Sequence, residues 1–166
     1  LSVDTIIPYL VSQLSDQRVW VGVASAIYFW GFFFPQFIGA YLVNGKPRRK
    51  WTIFWIAIAE RLAILVIAIL LQVINWLTPS SRLALFLLAY AVFSVTNGLI
   101  GPAYADFISK NINRNRGQFY GIMNGLGGLI GFSASLLALN VLDRTAFPNN
   151  LQILFWLASA RSLISP

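Results

Sequence analysis

Long apolar runs separated by short polar ones set the plan of this chain. Residues 19–45 carry no charge, residues 51–81 carry only Glu60 and Arg61, and residues 83–105 and 117–142 carry none. A shorter uncharged run, 145–160, ends at Arg161, and the chain opens on an apolar stretch, 1–14, that contains Asp4. A helix needs about 20 apolar residues to cross the hydrocarbon of a bilayer. A chain in lipid must satisfy every backbone donor internally, so its spans are helices or closed barrels. Barrel strands alternate polar with apolar residues over about ten positions, and these runs do not alternate. The pattern predicts six helices, over 1–14 (partial), 19–43, 51–74, 82–105, 117–142 and 149–165.

The connectors are turn-like. Asn44-Gly45-Lys46-Pro47 breaks the chain sharply, and Thr78-Pro79-Ser80-Ser81 reads as a helix start with Ser81 as its N-cap. Residues 111–117 are polar and basic, and Ala146-Phe147-Pro148-Asn149-Asn150 precedes the last helix. Such short links predict that consecutive helices are antiparallel neighbours.

Composition agrees with lipid as the solvent. Of 166 residues 58% are apolar and 10% charged, against about 25% charged in soluble domains. The net charge of +7 sits in short loops, which is a topology signal rather than a nucleic-acid footprint. Lys46, Arg48, Arg49, Lys50, Lys110, Arg114, Arg116 and Arg161 fall on one side, and Arg18, Arg82 and Arg144 on the other. The positive-inside rule then makes 44–50 and 106–117 cytoplasmic loops. The chain has no Cys and no His, which removes thiolate and imidazole chemistry. The five acidic residues are widely spread. A membrane-embedded enzyme is therefore poorly supported, and no cofactor or metal is expected. Leu1 already lies in an apolar stretch, so the start reads as a cut inside the first helix.

Polar groups inside the apolar runs are the candidates for function, because a charge at the bilayer centre costs at least ~2.5–3.5 kcal/mol without a partner or a wet cavity. Asp4, Glu60 and Arg61 qualify. Glu60 falls roughly 14 Å from the start of its expected helix, near the midplane. Glu60 and Arg61 are about 100° apart around the axis and have no polar residue one turn away, so their partners must come from other helices or water. Asp4 with Arg61 is one such pairing. Asn97, Asn124 and Gln36, the last beside Pro35, are neutral hydrogen-bonding candidates, of a kind that is more often glue between helices than a ligand. Gly121 with Gly125, and Gly127 with Gly131, form small faces that another helix can approach closely. Trp20, Trp51, Trp55 and Trp76 read as interfacial belt residues.

The stretch from Gly39 to Lys50 resembles the signature loop of the major facilitator superfamily, G-x-L-a-D-R-x-G-R-R-K between helices two and three. Ala40 stands for the first Gly, Leu42 for the Leu, Asn44 for the Asp, Gly45 for the Arg, Pro47 for the second Gly, and Arg48-Arg49-Lys50 for the basic end. Gly101-Pro102-Ala103-Tyr104-Ala105-Asp106, followed by Arg116-Gly117, is similar to the helix-four to helix-five region of bacterial facilitator permeases, and Gly31 to Gln36 adds to the likeness.

The resemblance implies an all-α bundle over 1–166, made of two inverted three-helix repeats, as the N-terminal half of a secondary transporter whose C-terminal six-helix half is absent. It implies alternating-access movement of a small solute, with protons as a candidate coupling ion, in a bacterial inner (plasma) membrane. Half a cavity cannot alternate access, so this chain alone is not expected to transport. In the family, helices one and four line the cavity and three and six lie outside, which favours Asp4 over Glu60 and Arg61 as the functional charge. Asn44, Arg48, Arg49, Lys50, Asp106 and Arg116 would form the cytoplasmic gating loops. With Asn44 in place of Asp, the charge-assisted part of that latch is lost. A non-transporting receptor or lipid-handling protein on the same fold is the alternative.

Overall fold

The computed structural model describes residues 6–43, 49–111 and 115–164. Six α-helices follow one another: α1 Ile6–Leu14, α2 Val19–Val43, α3 Arg49–Gln72, α4 Pro79–Asn111, α5 Arg116–Arg144 and α6 Asn149–Ile164, with a 3₁₀ turn, Ile74–Trp76, between α3 and α4. No strand occurs among the described residues. Four helices contain stretches long and apolar enough to cross a membrane: Val19–Tyr41, Phe54–Gln72, Pro79–Pro102 and Gly117–Arg144. That is the character of an integral membrane protein.

Local chemistry explains where the helices start and stop. α4 begins at Pro79, three residues before the expected start. Thr78, not Ser81, is its cap: the Ser81 amide donates to Thr78 Oγ1 at 3.4 Å and the Arg82 amide to the Thr78 carbonyl at 3.0 Å. Proline fits the first helical position because its missing N–H would have no partner there. Arg82 Nε donates to the Leu77 carbonyl at 2.8 Å and fastens the same corner. At its other end α4 runs on to Asn111, so the connector expected over 106–117 is helical as far as 111. Asp106 and Lys110 end an apolar run, but a charge ends a helix only if the backbone also breaks, and neither residue breaks it.

The core lies at one end of the bundle. Ile6, Ile7, Leu10 and Val11 of α1 pack with Ile64, Ile67 and Leu71 of α3, Ile74 of the 3₁₀ turn, Leu83, Phe86 and Tyr90 of α4, and Leu151, Leu154 and Phe155 of α6. Side-chain amides close this end. Gln152 Nε2 donates to the Leu71 carbonyl at 2.8 Å and so satisfies one of the orphan acceptors at the α3 C-terminus.

The neighbour relations depart from chain order. α2 packs chiefly on α4, and α3 on α4 and α6. α4 and α5 touch little among the described residues, and α5 meets the bundle through α6. Small residues decide the α2–α4 pairing. Gly31, Pro35 and Gly39, four apart, are all buried on α2. A Cβ added at Gly39 would lie 2.6 Å from the Leu99 carbonyl oxygen, and one at Gly98 would run into the backbone carbonyls of Gly31 and Phe32. Only glycine allows backbones this close. The stacked rings of Tyr28 and Tyr90, centroids 6.3 Å apart, extend the seam toward the core.

The α5 glycines behave otherwise. Nothing lies within 4 Å of a Cβ built at Gly121, Gly125, Gly127, Gly128 or Gly131, and no α5 residue whose burial is described is buried. The close-packed glycine face is therefore on α2 and α4, and the expected one on α5 meets no other helix among the described residues.

Candidate functional site

Beyond the apolar core, toward the start of α3 and the end of α4, the facing residues become small and polar. Ser94, Thr96 and Gly98 are buried along α4. Ser94 Oγ donates to the Tyr90 carbonyl at 2.8 Å, and Thr96 Oγ1 lies 2.8 Å from the Val92 carbonyl and 2.9 Å from that of Phe93. Both hydroxyls are thus spent on their own helix. Asn97, the next residue along α4, reaches across instead: its Nδ2 donates to Glu60 Oε1 of α3 at 3.3 Å. Both residues are half-buried.

Glu60 stands roughly 16 Å along the axis from the first residue of α3, and Asn97 roughly 21 Å from the last residue of α4, at ~1.5 Å per residue. Both fall inside the stretches of membrane-crossing length, Phe54–Gln72 and Pro79–Pro102. The partner of Glu60 comes from another helix, as its lack of a polar neighbour one turn away requires. Arg61, half-buried, follows on α3. An ionised carboxylate is acceptor-only, while the amide both donates and accepts. The pair can therefore hold a charge, a proton or a polar solute between two helices. It contains no nucleophile of the activated kind.

The remaining sequence candidates are scattered. Gln36 is half-buried on α2, Asn124 is exposed on α5 and Asp106 is half-buried in the last part of α4. Arg49 and Lys50 open α3, and Arg116 opens α5. Cations at helix N-termini oppose the helix dipole, so their place there answers to something other than helix stability. Asp4, Asn44 and Arg48 lie outside the described residues. Trp51, Trp55 and Trp76 are exposed at 63%, 62% and 91%, as residues facing lipid or interface would be, whereas Trp20 packs against the core. Among the described residues no three His, Cys, Asp or Glu side chains cluster as metal ligands would.

Two features were not singled out by sequence reasoning. One is the Gly31–Pro35–Gly39 seam with Gly98, whose signal is the four-residue spacing of small or imino residues on α2. The other is a continuous aromatic face on the opposite side of α2, where Phe29, Trp30, Phe33, Phe34, Phe37 and Tyr41 are all exposed. Their spacing of three, four and five places them on one side of the helix. Comparison with protein-family models, with curated proteins and with solved structures finds no match.

Proposed function

We propose that this chain is half of a secondary transporter of the major facilitator type. Its six helices act as six spans in two inverted three-helix repeats, paired with a second six-helix half, and a small solute crosses by alternating access. The observation that carries the reading is the Glu60–Asn97 hydrogen bond, a charged-type pair between two helices of membrane-crossing length. Polar pairs at that depth are expensive and mark ion or solute paths. The uncovered α5 supports the second half. It is the longest stretch of membrane-crossing length, has no buried residue and carries glycines that nothing contacts, which leaves a face open to a second helical body. The basic residues that open α3 and α5 fit anchors at a cytoplasmic surface, which would make 44–50 and 106–117 cytoplasmic in a bacterial inner membrane.

The reading frame of the gene tests this. The account expects a second series of apolar runs of about 20 residues beyond residue 166. A frame that ends near Pro166 with no second hydrophobic half would remove the main support for the assignment.

A further inference from the structure

We infer that Glu60 and Asn97 form a proton-binding site that keeps α3 joined to α4 in both charge states. The observations are the contact itself, 3.3 Å from Asn97 Nδ2 to Glu60 Oε1, the half-burial of both side chains, and the hydroxyls of Ser94 and Thr96, three and one positions before Asn97, spent on their own helix. With Glu60 ionised, its carboxylate accepts from the amide N–H. When a proton from water binds a carboxylate oxygen, the new O–H becomes a donor and needs an acceptor. Asn97 supplies one on the same side chain, since turning its amide through about 180° exchanges Nδ2 for Oδ1. The proton therefore enters or leaves without orphaning a group inside the bundle, which a serine or threonine bound to its own helix would not permit.

The charged surroundings are few. Arg61 follows Glu60 on α3, whose first turn carries Arg49 and Lys50. α4 carries Arg82, Asp106 and Lys110, α6 carries Arg161, and α2 carries no charge at all. Arg61 is thus the charge nearest in sequence, and it leaves the net charge of the site positive when Glu60 is protonated and neutral when it is not. The inference deepens the transport reading by naming the proton as the coupled ion and Glu60 as its acceptor.

Glu60 is the only glutamate in the chain, so its carboxyl can be observed alone. The chain is produced with glutamate labelled with ¹³C at Cδ, held in micelles, and its single carboxyl resonance followed from about pH 4 to 9, a range spanning ordinary and shifted carboxyls. The resonance is expected to titrate as one group. In Asn97→Leu the midpoint should move by about tenfold in proton affinity, because the charge-assisted hydrogen bond to the ionised carboxylate is stronger than the one to its neutral form and both are lost together. Asn97→Thr, which keeps a hydroxyl but spends it on its own helix, should behave like Asn97→Leu and serves if the latter does not fold. A resonance that fails to titrate in the unaltered chain overturns the inference, and so does a midpoint unmoved by loss of the Asn97 amide. Because the readout uses the chain alone, it can fail while the transport reading stands, and the reverse.

Discussion

Asn97 of α4 donates to Glu60 of α3 at 3.3 Å, joining residues 37 positions apart in the sequence. Its energetic weight should show as coupling. Asn97→Leu alone deprives a half-buried carboxylate of its donor and should lower stability by ~1–3 kcal/mol. Removing both groups in Glu60→Leu/Asn97→Leu leaves nothing unsatisfied and should be much milder than the two single losses added. A double-mutant cycle by unfolding in micelles should give a coupling of ~0.6–1.7 kcal/mol. Additive losses would mean that the two residues act separately.

The α2–α4 seam and the α5 glycines should respond in opposite ways to the same change. Gly98→Ala forces a methyl into the carbonyls of Gly31 and Phe32, and overpacking of this kind costs ~1–3 kcal/mol. Gly125→Ala meets open space in this chain and removes a flexible residue from a helix, which is worth ~0.5–1 kcal/mol of stabilisation. Thermal unfolding of the two variants should therefore move in opposite directions. On the proposed reading, with a second body packed on α5, the sign at Gly125 should reverse in the full-length protein.

The start of α4 offers a local test. Thr78→Ala removes the oxygen that receives the Ser81 amide and should cost ~1 kcal/mol. Hydrogen exchange at the amides of Ser80 to Arg82 should accelerate, while Ser81→Ala leaves the cap in place and should change exchange there far less.

The corner where α6 meets α3 has a similar dependence. Gln152→Leu leaves the Leu71 carbonyl without the Nε2 donor now 2.8 Å away, and the loss should be ~1–3 kcal/mol if that oxygen stays dry. Because Leu71 and Leu151 sit in the apolar core, the loss should appear as global unfolding rather than fraying, measurable as a lower Tm with unchanged helical content.

The helices were legible because lipid-scale apolar length is a coarse signal that survives local detail. All six helices overlap the uncharged runs, and four of them contain stretches of membrane-crossing length. Boundaries were less legible at α4, where Ser81 competes with Thr78 as a cap and only the Pro79 position decides between them. The partner of Glu60 was legible as a requirement, since no residue one turn away could serve, but not as Asn97, because that depends on which helices cross. The same limit explains the glycines. Four-residue spacing marks a small face on α2 and on α5 alike, and the spacing alone does not say which face another helix covers. Chain order misled for the same reason: the connector between α4 and α5 is short, yet backbone contact through Gly39 and Gly98 makes α2 the main neighbour of α4.

Alternating access to the Glu60–Asn97 region is the central claim, and it is directly measurable because residues 1–166 hold no cysteine and any cysteine of the second half can be replaced beforehand. Asn97→Cys in the full-length protein, sealed into vesicles, is exposed to a membrane-impermeant thiol reagent added to one side or the other. The account predicts labelling from both sides, with a transported solute shifting the rate in favour of one side at the expense of the other. Labelling from a single side under every condition, or from neither, would contradict it.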